Sequence, residues 1–207
     1  MACSCRIFLL SPAKAGGQRY SLLLREHADF LLARRLRQGT ATIGELYTFI
    51  SGLYFRGKIA YAEAFHAAPP GSPPALVIVP GAGLIPPETP LNIAQLRAIA
   101  EIRVSETNPI FRDPLLKAAT LLDQHTDRAC FYILLGSVAS AKYTAPLLEI
   151  FGERLLFPAD FVGRGDMSRG GLMLRHARSG IELPYIPVAG ALLHGARPPR
   201  LERWRKP

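Results

Sequence analysis

Arg164, Asp166, Ser168 and Arg169 fall within nine residues, Gly163–Gly171 (GRGDMSRGG), that also hold four glycines. Glycine lets a backbone turn with positive φ and aim its N–H groups into one concavity. Two guanidinium groups beside a helix start, here with Gly165 and Ser168 between them, make a seat for phosphate or carboxylate. The same letters also read as a capped turn, with Asp166 or Ser168 on the helix and the arginines in solvent. The tripeptide Arg-Gly-Asp is an adhesion sequence elsewhere, and is taken here as coincidence.

Three further segments carry polar chemistry. Ser11–Arg19 (SPAKAGGQR) places Lys14, Gly16, Gly17 and Arg19 behind an apolar run, a second candidate for phosphate, though without dinucleotide or P-loop spacing. Gly81–Glu88 (GAGLIPPE) holds Glu88 behind two prolines, where a carboxylate could act as base or stabilise positive charge. An ordinary surface turn would look the same. In Gly136–Tyr143 (GSVASAKY), Gly136 and Ser137 read as a helix start with free N–H groups, and Lys142 and Tyr143 lie one turn along. Asp166 and Glu88 are thus the candidate catalytic carboxylates. Lys14, Gly16, Gly17, Arg19, Gly136, Ser137, Arg164, Gly165, Ser168 and Arg169 are the candidate anion contacts.

Other chemistries lack support. The five histidines are scattered without metal spacing, no serine sits in a G-x-S-x-G elbow, and neither metal nor cofactor is expected. Gly52–Lys58 (GLYFRGK) mimics a P-loop, but Ile59 stands where Ser or Thr must hold magnesium, and the preceding residues read as helix. Cys3 and Cys5 lack the two-residue spacer of a redox or zinc pair; with Cys130 they are expected as free thiols in a reducing compartment.

These segments need elements to hold them. Cys5–Leu10, Ala75–Pro80 and Cys130–Leu135 are continuous apolar runs, the pattern of strands covered on both faces. Arg154–Phe157 and Pro184–Val188 are shorter strands, the last an edge because of its prolines. Helical patterns cover Tyr20–Arg37, Ile43–Ile50, Phe55–Phe65, Asp113–His125, Ser137–Phe151 and Ser168–Ser179, with Asp113–Pro114 as a cap and first-turn pair. Strand alternating with helix predicts an α/β fold: an open, mainly parallel sheet of four to five strands with helices on both faces. In such sheets ligands bind beyond the carboxyl ends of the strands, and the four polar segments all follow strands.

Composition sets the outer limits. A chain of 207 residues, 49% hydrophobic, fits one domain with a real core, here 1–207 with a basic tail over 195–207. Twenty-five Lys and Arg against sixteen Asp and Glu give a net charge of +9, gathered in the first sixty residues, in Arg164–Arg178 and in the tail. Such an excess attracts phosphate or acidic partners. The apolar run Ile7–Leu10 is too short for a secretory signal and no run could span a membrane, so a cytoplasmic protein without a membrane partner is expected.

IFLLSPAK resembles the start of the peroxide-stress YaaA-type proteins, and SGLYFRGK resembles their Ser-Gly-Leu-Tyr stretch. The order of parts also resembles a group of small bacterial α/β proteins with no assigned reaction: Ser11–Pro12, Tyr54–Phe55, Gly83–Leu84–Ile85–Pro86, Gly136 to Tyr143 and the basic Gly163–Gly171 loop. The Gly-Leu-x-Pro element is similar to one in the glycosylase-like domain of archaeosine synthases. What these resemblances imply is a nucleic-acid or nucleobase connection. The leading expectation is therefore a protein related to nucleic acid or nucleotides, with N-glycosidic bond cleavage as its chemical form. The alternatives are a small-molecule enzyme for a phosphorylated or carboxylated metabolite, and a non-catalytic adaptor with a basic tail. Oligomeric state is left open.

Overall fold

Residues 5–199 and Leu201 are described by the computed structural model, so most of the basic tail expected over 195–207 lies outside the described residues, as does Cys3. In chain order the first half contains β1 (Arg6–Leu10), α1 (Gln18–Leu23), α2 (Leu31–Arg37), β2 (Ala41–Thr42), α3 (Ile43–Ser51) and α4 (Leu53–Phe65). Then come β3 (Ala75–Val79), β4 (Gly83–Ile85), β5 (Pro90–Leu91), α5 (Ile93–Glu101) and α6 (Pro109–Gln124). The last part holds β6 (Phe131–Leu135), α7 (Ala141–Phe151), β7 (Leu155–Pro158), α8 (Asp166–Ser179) and β8 (Tyr185–Pro187).

The main sheet has six strands in the order β4-β3-β1-β6-β7-β8, larger than the four to five expected. Its four central strands are parallel, and antiparallel β4 and β8 close the two edges. The continuous apolar runs explain the centre. Ile7 to Leu10, Val77, Ile78 and Tyr132 to Leu135 have no exposed surface, as strands covered on both faces require. The chain leaves β1 toward β3 on one side and later places β6 on the other. Right-handed crossovers in opposite directions put their helices on opposite faces. Accordingly α8 packs on α4, and α6 packs on α7. The gap between β1 and β6 is the topological switch point.

The structure departs from the sequence expectations at several elements. Gly81–Glu88 is not an open loop: Gly81 turns the chain with φ 79°, and β4 runs back along β3. The single helix expected over Tyr20–Arg37 is two, because residues 24–30 are mostly polar and offer no stripe to bury. The break is fixed by Phe30 stacking on Phe49 at 5.3 Å and by the Arg37 guanidinium donating to Ala28 O at 2.6 Å. Helix α6 starts at Asn108–Pro109, not at Asp113–Pro114. Asn108 Oδ1 accepts from Ile110 N, and the extra turn buries Phe111, worth more than the one hydrogen bond that Pro114 forfeits. Helix α7 starts at Ala141, so Gly136 and Ser137 precede it by a turn. Helix α5 opens on an Asn92–Gln95 capping box, a signal carried by that spacing and absent from the expected elements.

Cys5 and Cys130 are not free thiols. They stand side by side just before β1 and β6, whose register pairs Arg6 with Phe131, and a disulfide joins them. Their separation of 125 residues hid this neighbourhood.

Candidate functional site

A cleft of about 560 Å³ opens beyond the carboxyl ends of β1, β3 and β6, at the switch point. Ser11 to Ala15 follow β1 and form one wall; Pro80 follows β3, and Ser137 follows β6. Helices add Tyr47 and Ser51 from α3, Tyr54 from α4, Leu96, Ile99 and Ala100 from α5, Lys142 and Tyr143 from α7, and Asp166 from α8. Lys14 is exposed and Lys142 half-buried, its Nζ 5.0 Å from the Tyr143 ring centroid, so two positive charges line the cleft. Tyr47, Tyr54 and Tyr143 are all buried, and burial holds each phenol well above its ordinary range; Tyr54 is pushed up to about 12. Among the described residues Tyr54 Oη has no hydrogen-bond partner of normal geometry, although Arg169 lies near enough to offset part of its burial.

Beneath this lining lies Lys58. It is 1% exposed, and its Nζ donates to Ser11 O at 2.8 Å and Ser11 Oγ at 2.7 Å. No carboxylate pairs with it among the described residues; the nearest aromatic face is Tyr54, 4.1 Å from Nζ to the ring centroid. Burial pulls its ammonium down to about 7; Asp166 acts to raise it and Arg169 to lower it. The helix crossing that brings α8 over α4 depends on two glycines. A Cβ on Gly57 would stand 2.7 Å from Gly170 O, and one on Gly170 would stand 2.7 Å from Leu53 O. Their absence lets the backbones touch and brings Asp166 and Arg169 over Tyr54 and Lys58.

Of the residues predicted from sequence, Lys14, Ser137 and Asp166 line this cleft. Gly136 backs it: a Cβ there would come within 2.7 Å of Ser11 Cβ and 2.9 Å of Ser11 Oγ. Gly16 and Gly17 are exposed, with open space where a side chain would be. Arg19 lies apart, in a groove with Phe49, Gly52 and Arg56. Glu88 is carried by β4 to the opposite end of β3, beside Pro74 and Ala75. Of the candidate anion contacts, Arg164 and Arg169 do not join Lys14 in this cleft. Arg169 is 6% exposed; its Nε and Nη2 both donate to Phe161 O, at 3.2 and 2.9 Å, and its Nη1 lies 3.8 Å from Asp166 Oδ1. It is an internal brace: it supplies two of the donors to Phe161 O, beside the Arg164 N–H at 3.2 Å. Arg164 donates to Ser168 Oγ at 3.3 Å and Pro199 O at 3.4 Å. Gly165 is the residue before α8, with no side chain to cap it, and neither Asp166 nor Ser168 serves as the cap.

Ser11, Tyr54 and Lys58 are not among the candidate contacts named from sequence, where Ser11 and Tyr54 enter only within longer segments or motifs. The signal was present: Tyr54, Lys58, Tyr61 and Phe65 repeat at helical spacing, and a lysine inside an apolar stripe must find a partner in the core. Rejection of Gly52–Lys58 as a P-loop agrees with the structure, where α3 and not a strand precedes Gly52, but it also removed Lys58 from view.

Among the described residues no group of three or more His, Cys, Asp or Glu side chains could hold a metal ion, and no helix is long and apolar enough to cross a membrane. No family model, curated protein or solved structure matches the chain. The resemblance to YaaA-type proteins therefore stands on its short motifs alone.

Proposed function

We propose that the cleft binds a small metabolite bearing a phosphate or carboxylate, of about mononucleotide size, and that the protein is an enzyme acting on it. One observation carries this reading: a concavity at the switch point joins Lys14 and Lys142 to a buried tyrosine wall and to a single carboxylate, Asp166. Its volume of about 560 Å³ lies within the ~300–1,000 Å³ of small-molecule sites. A nucleotide belongs to this class, in keeping with the nucleobase connection that the resemblance implies. A long nucleic acid is less favoured, because the basic loop expected to track its backbone has Arg169 turned inward. N-glycosidic cleavage would need a carboxylate beside the reacting carbon, and only Asp166 of the two candidates stands in the cleft.

Thermal shift with inorganic phosphate, nucleoside monophosphates, sugar phosphates, dicarboxylates and short single- and double-stranded oligonucleotides tests the proposal. A compact anion should raise the melting temperature; at about 100-fold over Kd the gain is ~2.7 kcal/mol. Lys14→Ala and Lys142→Ala should each weaken that anion roughly tenfold or more, from ~1.5–3 kcal/mol per charge-assisted contact, with the unliganded melting temperature unchanged for the exposed Lys14. Stabilisation by oligonucleotides alone, weakening with salt, would count against it.

A further inference from the structure

We propose that Ser11 and Lys58 form a nucleophile–base pair that makes the cleft an acyl-transfer site, with esters or thioesters bearing a phosphate or carboxylate as its substrate class. This rests on the reading of the cleft as a substrate site and adds the reaction to it.

Three features of geometry carry the inference. First, Ser11 lies at the end of β1 and lines the cleft, while Lys58 reaches its Oγ from the interior side at 2.7 Å. A hydroxyl between a buried amine and a substrate-sized cavity is the arrangement that serine–lysine nucleophiles require. Second, the amine is oriented by a third group. Its other contact is Ser11 O at 2.8 Å, so a neutral Lys58 can donate one hydrogen to that carbonyl and turn its lone pair to the Ser11 hydroxyl. Third, Gly136 gives the Ser11 side chain its room on the cleft wall, since a Cβ there would stand 2.7 Å from Ser11 Cβ and 2.9 Å from Oγ; Ser11 is 4% exposed.

The base can be neutral near physiological pH. Two uncharged oxygens at 1% exposure do not compensate an ammonium ion, and no carboxylate contacts it among the described residues. The groups facing Lys58 are Asp166 and Arg169 from α8, which oppose each other, and the Tyr54 and Phe55 rings of its own helix. Desolvation outweighs them all and leaves the amine at about 7, where it holds a proton or gives it up with little cost.

The reaction then balances. Ser11 Oγ bonds to the substrate's carbonyl carbon as its proton passes to Lys58 Nζ. The bond from that carbon to the leaving oxygen or sulfur breaks, and Lys58 returns the proton to the leaving group. Water attacks the acyl-serine, its proton passes through Lys58 to Ser11 Oγ, and acid plus alcohol or thiol are released. Lys14 and Lys142 hold the anionic part of the substrate.

A dialkyl fluorophosphonate tests this without a known substrate: Ser11 Oγ would displace fluoride from phosphorus as its proton moves to Lys58. The expected result is a phosphonylated Ser11 peptide by mass spectrometry, with a labelling rate that rises through pH about 7 and far exceeds that of Ser51 and Ser137, which line the same cleft. Lys58→Arg, which keeps the charge but supplies no base, should slow labelling at least a hundredfold. The wild-type rates stand alone if that variant fails to fold. An unlabelled Ser11, labelling no faster than at Ser51 or Ser137, or a rate indifferent to pH between 5.5 and 8.5 would overturn the pair. Because labelling needs no bound metabolite, anion binding and nucleophilicity fail separately.

Discussion

Lys58→Met should abolish a rise in folding stability that the wild-type protein shows between about pH 7.5 and 9.5. In the unfolded chain Lys58 titrates at its ordinary 10.5, whereas burial lowers it to about 7 in the fold. Between those values the unfolded state holds one more proton than the native state, so stability increases with pH, by up to ~1.4 kcal/mol per unit. Below pH about 7 both states are protonated and the dependence ends. The buried phenols act in the opposite sense. Tyr61, Tyr54 and Tyr47 are raised by burial, so their contribution is complete below the ordinary value of 10 and is lost above it. This sets the upper limit of the useful window. Urea unfolding across the window should give ~2–3 kcal/mol of gain for wild type and a flat line for Lys58→Met. The variant also leaves Ser11 O and Oγ without their donor, a pH-independent loss of ~1–3 kcal/mol that offsets the line without tilting it. A sloped variant, or a flat wild type, would show that Lys58 is not held near neutrality.

Gly170→Ala should destabilise the protein by about 2–4 kcal/mol while Gly171→Ala leaves it unchanged or slightly improved. A Cβ on Gly170 would meet Leu53 O at 2.7 Å and Tyr54 Cα at 2.8 Å, both backbone atoms of α4 that cannot rotate away. The helices would have to separate, and with them Asp166 and Arg169 from Tyr54 and Lys58. At Gly171 the nearest atom is Leu201 Cδ1 at 3.5 Å, an ordinary contact. The two neighbours on one helix thus separate helix propensity from close approach. Urea midpoints that coincide for the two variants would remove the close helix crossing as a determinant of the site.

Much of the fold was legible because its central strands are continuous apolar runs. Cys5–Leu10, Ala75–Pro80 and Cys130–Leu135 each predicted a strand within a residue or so of its bounds. The edge strand β4 was not legible. It is three residues long, contains Gly83 and is followed by Pro86 and Pro87, punctuation that reads as a turn, and its formation moved Glu88 to the far end of the sheet. The site was legible by position more than by charge. The strand-end rule selected segments containing Ser11, Lys14, Ser137, Lys142, Tyr143 and Asp166, all of which line the cleft. Charge misled at Arg169, because a guanidinium beside glycines looks the same in sequence whether it faces a ligand or a carbonyl of its own chain. Lys58 and Ser11 are 47 residues apart and meet only through the packing of α4 against the end of β1. No local spacing encodes that meeting.

The central claim is that ligand enters at the carboxyl ends of β1 and β6. Titrating a ¹⁵N-labelled sample with a purine nucleoside 5′-monophosphate, and separately with inorganic phosphate, tests it most directly by amide chemical shifts. The largest changes are expected at Lys14, Ala15, Ser137, Lys142 and Asp166, saturating together. Changes confined to Arg19 and Arg56, or to Glu88 and its neighbours at the opposite end of β3, would contradict it.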